Sequence, residues 1–298
     1  MDKRIIAEYE RIILLCQKRG VNACLEKELP YGIQLKIFSG KNSILLNIYF
    51  SKKKGLSHVI GGRNDNPLKQ LLLQLLIKES DDTSWKTWIG TDESGKGDFF
   101  GPLVVVGFYC NKTIIKDLFT LGVKDSKRLS DSSIKKIAKN LWKKYPSNIK
   151  IIELNPPKYN QLYQRFTERG KKLNQMLAWM HARIIVDMQK EFKSDGIIID
   201  KFTNSKVMNS ALSEFRNINY ILRVKAESNL AVAAASILAR ANYLKKMEYF
   251  GEKYKMELPK GASKKVDDFV KKFVSYFGIK ELYYVSKIHF KTYNKIEL

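Results

Sequence analysis

Ile5, Ile6, Tyr9, Ile12, Ile13 and Cys16 recur at near-helical spacing, which predicts an amphipathic helix over residues 3–19. Two segments of strict alternation follow. In "YGIQLKIF" Ile33, Leu35 and Ile37 share one face, and in "SILLNIYF" Ile44, Leu46, Ile48 and Phe50 do the same, so both read as strands joined by the turn "SGKN". "SKKKG" punctuates, and "NPLKQLLLQLLIKES" starts a helix with Asn66 as cap and Pro67 at its first position. Residues 1–82 thus form a small α+β module, and the polar stretch at 78–84 reads as a linker to a second domain, 83–298.

The second domain alternates strand and helix patterns, the mark of an α/β fold. "TWIGTD", "GPLVVVGFY", "IKIIELN", "GIIID" and "NYILRV" read as strands. "DSSIKKIAKNLWKKY", capped by Asp131 or a following Ser, "KLNQMLAWMHARIIVDMQKEF" and the Ala-rich "SNLAVAAASILARANYLKKMEYF" read as helices. The tiny residues of "AVAAAS" suit close approach to a sheet, although alanine also simply favours helix.

Charge changes the picture. The chain carries 54 Lys+Arg against 30 Asp+Glu, formally +24, which favours a polyanionic partner, nucleic acid before membrane. Both parts share the excess: residues 1–80 have 14 basic and 7 acidic side chains. No apolar run reaches about 18 residues and the N-terminus lacks a signal peptide's apolar core, so neither a membrane span nor secretion is expected. Cys16, Cys24 and Cys110 form no CxxC pair, which points to a reducing, cytoplasmic setting without a zinc site.

"GTDESGKGDFFGP", Gly90 to Pro102, starts like a phosphate-binding loop but has Gly97 where that loop needs Ser or Thr, and Asp92 and Glu93 inside it would repel phosphate. Adjacent acids in a regular strand point to opposite faces, so both serve one site only where the strand ends and the backbone turns. Such a corner suits a hard divalent cation; the competing reading is a polar turn. In "SDGIIIDKF" a buried apolar run ends in Asp200, where open α/β sheets gather ligands, unless Asp200 merely caps a following helix. Glu227 opens the Ala-rich helix, where the dipole favours an acid in any case. Asp125 lies between Lys124 and Lys127 and reads as a substrate contact or loop residue. His58, His181 and His289 do not cluster and read as packed or surface residues. Carboxylates in a basic protein point to two-metal phosphodiester chemistry.

The segments "IGTDESGKGDFFGPLVV", "GVKDSKRLS", "IIIDKF", "VKAESNLAVAAASILAR", "LPKGA" and "KIHFKT", in this order over residues 88–292, resemble the type 2 ribonucleases H, and within them bacterial ribonuclease HIII. Residues 1–82 resemble that family's extra substrate-binding domain, which has a TATA-box-binding-protein-like fold. The resemblance implies a ribonuclease H-like mixed-sheet catalytic domain that cuts the RNA strand of RNA–DNA hybrids with Mg²⁺ or Mn²⁺, leaving 3′-hydroxyl and 5′-phosphate ends. It puts the catalytic carboxylates on Asp92, Glu93, Asp200 and Glu227, with metal on the first three. Substrate contacts fall on Ser94, Gly95, Lys96, Gly97, Lys124, Ser126 and Lys127, the glycine loop reading 2′-hydroxyls. Ribonuclease HII carries Arg where Lys96 stands, and Lys lacks the bidentate fork. A monomer without organic cofactor is expected. The rivals are incision at single ribonucleotides, as in ribonuclease HII, a non-catalytic hybrid-binding protein, and a nucleotide-hydrolysing loop protein.

Overall fold

Residues 2–51, 55–62, 66–76, 85–213, 215, 218–224 and 226–295 are described by the computed structural model, in which the chain divides into two units, Met1–Asp82 and Thr83–Leu298. The stretch at 78–84, read above as a linker, lies outside the described residues.

In the first unit α1 (Lys3–Gln17) precedes four antiparallel strands, β1 (Asn22–Leu29), β2 (Gly32–Ser39), β3 (Asn42–Ser51) and β4 (Gly55–Ile60), and then α2 (Pro67–Leu76). The strands lie in chain order. Alternation decides the faces: Ile33, Leu35, Ile37, Ile44, Leu46 and Ile48 are buried on one side of β2 and β3, against which α1 and α2 pack. Gln34, Lys36, Leu45, Asn47 and Tyr49 alternate with them on the other face. Asn66 Oδ1 accepts from Leu68 N at 2.9 Å, the cap expected there. The hydrophobic pattern did not announce β1 and β4. β1 is an edge strand exposed along most of its length, so it has no apolar alternation, and its register breaks between Leu25 and Lys27.

The second unit is built on a five-stranded mixed sheet. Its members are β5 (Thr87–Ser94), β6 (Leu103–Asn111), β7 (Ile149–Leu154), β8 (Gly196–Asp200) and β9 (Tyr220–Arg223), in the order β7-β6-β5-β8-β9. β5, β6 and β7 pair antiparallel, whereas β8 and β9 run parallel to β5. The helices are α3 (Lys112–Thr120), α4 (Asp131–Lys144), α5 (Pro156–Glu168), α6 (Leu173–Phe192), α7 (Ser205–Leu212), α8 (Leu230–Tyr254), α9 (Lys264–Phe277), α10 (Ile279–Val285) and α11 (Lys291–Asn294). One apolar core joins α3, α4, α8, α9 and α10 to one sheet face; the other joins α5, α6 and α7 to the opposite face. This is the mixed-sheet α/β architecture expected of a ribonuclease H-like domain.

The Ala-rich stretch has a packing role. A Cβ on Gly90 would collide with the backbone at Ala231 and Val232, so β5 and the first turn of α8 meet backbone to backbone. Ala231, Ala233, Ala234 and Ala235 are all fully buried there. The α4 cap differs from expectation: Ser130, in extended conformation, accepts from Ser133 N at 3.2 Å. Asp131 is already helical, and its carboxylate bridges Lys260 at 2.5 Å and Arg240 at 3.6 Å. α9 also went unread, although Val266, Val270 and Phe273 give it a buried stripe at helical spacing. Among the described residues no helix is long and apolar enough to cross a membrane.

Candidate active site

A cavity of about 230 Å³ opens at the C-terminal end of β5. Asp92, Glu93, Asp200 and Glu227 all line it, with Ser94, Asp125, Ser126, Lys127, Ser236 and Arg240. The three acids predicted to hold metal thus share one cavity with the fourth predicted acid.

Asp92 and Glu93 do not sit at a turn. β5 stays in register with β6 through Glu93↔Val105 and Ser94↔Val104, and the two side chains take opposite faces as a regular strand requires. Asp92 is reached by the Ser236 hydroxyl of α8, whereas Glu93 is reached by His181 of α6. Both border the cavity because it lies across the strand's end. The turn comes two residues after Glu93, at Gly95, whose φ of +90° favours glycine and where a Cβ would collide with the Pro102 carbonyl.

Asp200 ends β8, beside β5. It caps no helix: its Oδ1 accepts from Ala226 N at 2.9 Å, and Asn204 caps α7. Glu227 lies in a short 3-10 turn, Ala226–Ser228, ahead of α8, whose cap is Asn229. Its carboxylate is therefore held by a turn outside the helix, and Lys127 Nζ donates to Glu227 Oε1 at 3.1 Å.

Burial and the neighbouring Glu93 charge push the Asp92 carboxyl well above its ordinary range, with Asp200 adding to the effect; Ser236 and the Glu93 N–H oppose it. Asp200 is raised by burial and by Glu227 and Glu93, against the Ala226 N–H and the Lys127 charge. Lys127 is itself raised, chiefly by its hydrogen bond to Glu227. The cluster thus has more negative charge than its own cations offset.

Glu93 Oε2 is buried without a hydrogen-bond partner, and so is His181 Nε2. The two atoms stand 3.3 Å apart but outside hydrogen-bond geometry. An orphaned carboxylate oxygen beside acids raised by burial and by one another's charge is the donor set a hard cation fits. Among the described residues no three His, Cys, Asp or Glu side chains already enclose an ion-sized space.

Ser94, Ser126 and Lys127 line the cavity, as the sequence leads one to expect of substrate contacts. Lys96 stands beside it, 3.7 Å from Glu93 Oε1 and 5.2 Å above the Phe202 ring. Gly97 is exposed with open space around it. Lys124 is exposed but does not line the cavity, because the Ser126–Arg128 turn brings Lys127 to it instead. Asp125 does line it, while its Oδ1 accepts from Lys127 N at 2.9 Å.

Four residues escaped sequence reasoning. Arg240 and Ser236 lie on α8, one of them on the rim and the other linked to Ser126 Oγ at 2.9 Å. The run "AAASILAR" carried that signal, since Ser and Arg four apart share a helix face. His181, fully buried, has Nδ1 2.9 Å from Thr91 Oγ1 and stacks on Phe202 at 4.7 Å between centroids. Lys287 is also fully buried, and its Nζ donates to the carbonyls of Asp98 at 2.8 Å, Gly101 at 2.7 Å and Phe100 at 3.5 Å. Lys287 N donates to Phe99 O and Gly101 N to Val285 O, so the chain after α10 grips the loop that follows the glycines. Burial lowers the Lys287 ammonium to about 7, against the Asp98 charge.

Residues 89–293 match the family model described as Ribonuclease HII. The chain is 41% identical over 209 residues to ribonuclease HIII of Protochlamydia amoebophila (strain UWE25), covering 70% of this chain and 67% of that protein. It is similar to the crystal structure of Bst-RNase HIII in complex with Mn²⁺, at a TM-score of 0.65 and 27% identity over 99% of this chain and 95% of that one. Ribonuclease H2 from Pyrococcus horikoshii OT3, 23% identical, shares the fold at a TM-score of 0.57, but over only 71% of this chain and 97% of its own.

Proposed function

Since this chain belongs to the ribonuclease HII family of nuclease hydrolases, with curated relatives named ribonuclease HIII, we propose that it cleaves the RNA strand of RNA–DNA hybrids endonucleolytically. The observation that carries this reading is the meeting of Asp92, Glu93, Asp200 and Glu227 in one cavity rimmed by Lys127 and Arg240. Carboxylates alone would repel a phosphodiester. Lys127 and Arg240 supply the opposite charge at the rim, so a backbone phosphate can approach acids it would otherwise avoid.

Asp92, Glu93 and Asp200 would hold Mg²⁺ or Mn²⁺. When bound, such ions activate water and stabilise the leaving oxygen of an in-line displacement, which leaves 3′-hydroxyl and 5′-phosphate ends. The protein's own part is to fix the acids on rigid elements. The Ala226 N–H orients Asp200, Ser236 orients Asp92, and His181 backs Glu93. Lys127 keeps Glu227 turned to the cavity until a phosphate competes for the ammonium. The backbone from Ser94 to Gly97 is the element suited to reading a 2′-hydroxyl, because it borders the acids and Gly97 leaves it open.

For the first unit the proposed role is binding of the hybrid. Its sheet face away from α1 and α2 offers Lys36, Gln34, Asn47 and Tyr49, with Asn47 accepting from Gln34 at 2.8 Å and donating to Tyr49 at 3.3 Å. The deciding experiment compares a uniform hybrid with a DNA duplex holding one ribonucleotide, in Mg²⁺ and in Mn²⁺. Cutting of the uniform hybrid within the RNA strand is expected. Strong incision at the lone ribonucleotide would favour ribonuclease HII behaviour, and no cutting of either would leave only a binding protein.

A further inference from the structure

A second cavity, of about 290 Å³, lies between α6, α7 and the end of α5, and no part of the proposed chemistry uses it. Phe166, Trp179 and Phe215 line it, with Lys171 and Arg183 among its polar residues. None of its described lining residues is acidic. Trp179 is 41% exposed, unusual for the largest apolar side chain on a helix that otherwise packs its bulk into the core. Lys171 Nζ stands 5.9 Å over the Phe166 ring, and its neighbours Arg169 and Lys172 are exposed as well. Arg183 keeps a loose pair with Asp187 at 3.5 Å, with both side chains exposed.

We propose that this groove binds an unpaired stretch of nucleic acid strand, stacking a base on Trp179 while Lys171 and Arg183 meet its phosphates. Base-stacking aromatics beside cations, with no acid among the described lining residues, are what sequence-tolerant single-strand sites require. Charge decides against an apolar peptide, since a chain at +24 with a basic groove mouth selects a polyanion. Position supports the choice. Trp179 and His181, two residues apart in α6, project roughly 200° apart around the helix. His181 faces Glu93, so the groove lies across α6 from the catalytic acids, at roughly one helix diameter, about 10 Å. A single-stranded flank leaving the cavity could reach it within a few nucleotides.

The test uses the full chain in chelator, titrated with short oligo(dT) and oligo(U), with tryptophan quenching and anisotropy as readouts. It does not depend on the cleavage reading, because no metal is present and hybrid cutting is assayed separately. Both oligonucleotides should quench wild-type fluorescence. Trp179→Ala should remove that quenching and weaken binding about tenfold, the effect of losing one stacked base, and Lys171→Ala should flatten the salt dependence. Blunt hybrid binding and cleavage should stay within about twofold, which also certifies the fold. A Trp179→Ala protein that binds both oligonucleotides like wild type overturns the proposal. So does quenching by an acidic aromatic peptide that the oligonucleotides cannot displace, which would make the groove a protein-docking site.

Discussion

His181 Nε2 stands 3.3 Å from Glu93 Oε2, and both atoms are buried without a hydrogen-bond partner. Nδ1 is committed to Thr91, and Phe202 stacks on the ring, so the imidazole cannot turn away. One of the acids proposed to hold metal therefore rests on a fixed aromatic base plate, with its other oxygen, Oε1, 3.7 Å from the Lys96 ammonium. His181→Ala should leave the fold intact and raise the metal concentration needed for half-maximal cleavage, by about 10- to 100-fold, as loss of an outer partner does elsewhere. A metal titration identical to wild type would limit His181 to packing.

Asp92→Asn and Asp200→Asn should each reduce cleavage more than about 100-fold, beyond the usual effect of an outer partner, because the amide keeps the shape but removes an anionic oxygen. Hybrid affinity, read by anisotropy in chelator, should stay near wild type. Turnover close to wild type in either variant would refute the metal assignment.

The same acids set a pH dependence. An acid whose folded pKa is raised binds more protons folded than unfolded, so stability falls as pH climbs above the unfolded value of 3.8 and through the folded one. Metal-free protein should accordingly melt lower as pH rises over that window, and added Mg²⁺ should recover more stability at neutral than at acid pH. Asp92→Asn should melt above wild type in chelator at neutral pH, a gain in stability opposite to its loss of activity. Parallel melting curves for the two proteins across the pH range would contradict this.

Lys287→Met should cost about 2–4 kcal/mol in urea unfolding, since backbone carbonyls at Asp98 and Gly101 lose a buried donor. The sign of its pH effect is opposite to that of Asp92. A lysine lowered to about 7 penalises the fold at and below that pH, and the penalty is relieved as pH rises toward 10.5. The variant should lack that rise. Its loss of grip should also appear as faster amide exchange at residues 95–101, and unchanged exchange there would mean the loop holds itself.

Removing residues 1–82 should weaken hybrid binding and flatten its salt dependence while sparing turnover at saturating substrate. That segment carries none of the four acids but, over residues 1–80, has 14 basic side chains against 7 acidic ones. Each lost phosphate contact lowers the slope of log K against log salt by about 0.9 on B-form DNA, with a similar order on a hybrid. A folded truncation with wild-type affinity and slope would reject the binding role, and an insoluble one would point to support of the catalytic fold.

Much of this was legible where one residue reports one local fact. Buried strands announce themselves by unbroken apolar runs, so β6 and β8 stood out, and an acid ending such a run, Asp200, marked the site's edge. Motif order carried the cluster of Asp92, Glu93, Asp200 and Glu227. What stayed hidden depends on long-range approach. His181 looks like one polar residue on an apolar helix until β5 is laid against it, and Lys287 in "SKIHFKT" resembles any surface lysine until its carbonyl partners are known. β1 hid because an edge strand has no buried face to print alternation, and that Lys127 rather than Lys124 lines the cavity depends on the Ser126–Arg128 turn, which spacing alone does not give.

The grip of Lys287 on Asp98, Phe100 and Gly101 has a consequence for the order of folding. Contacts so distant in sequence form late, because a long loop must close before they contribute, and the parallel pairing of β5 with β8 has the same handicap. The helices are local and should gain their structure first. Refolding followed by circular dichroism should therefore run ahead of recovered cleavage, with the nuclease switched on only after the chain around residue 287 has returned to residues 98–101. On this order, the contact expected to complete the fold is also the one expected to arm the enzyme.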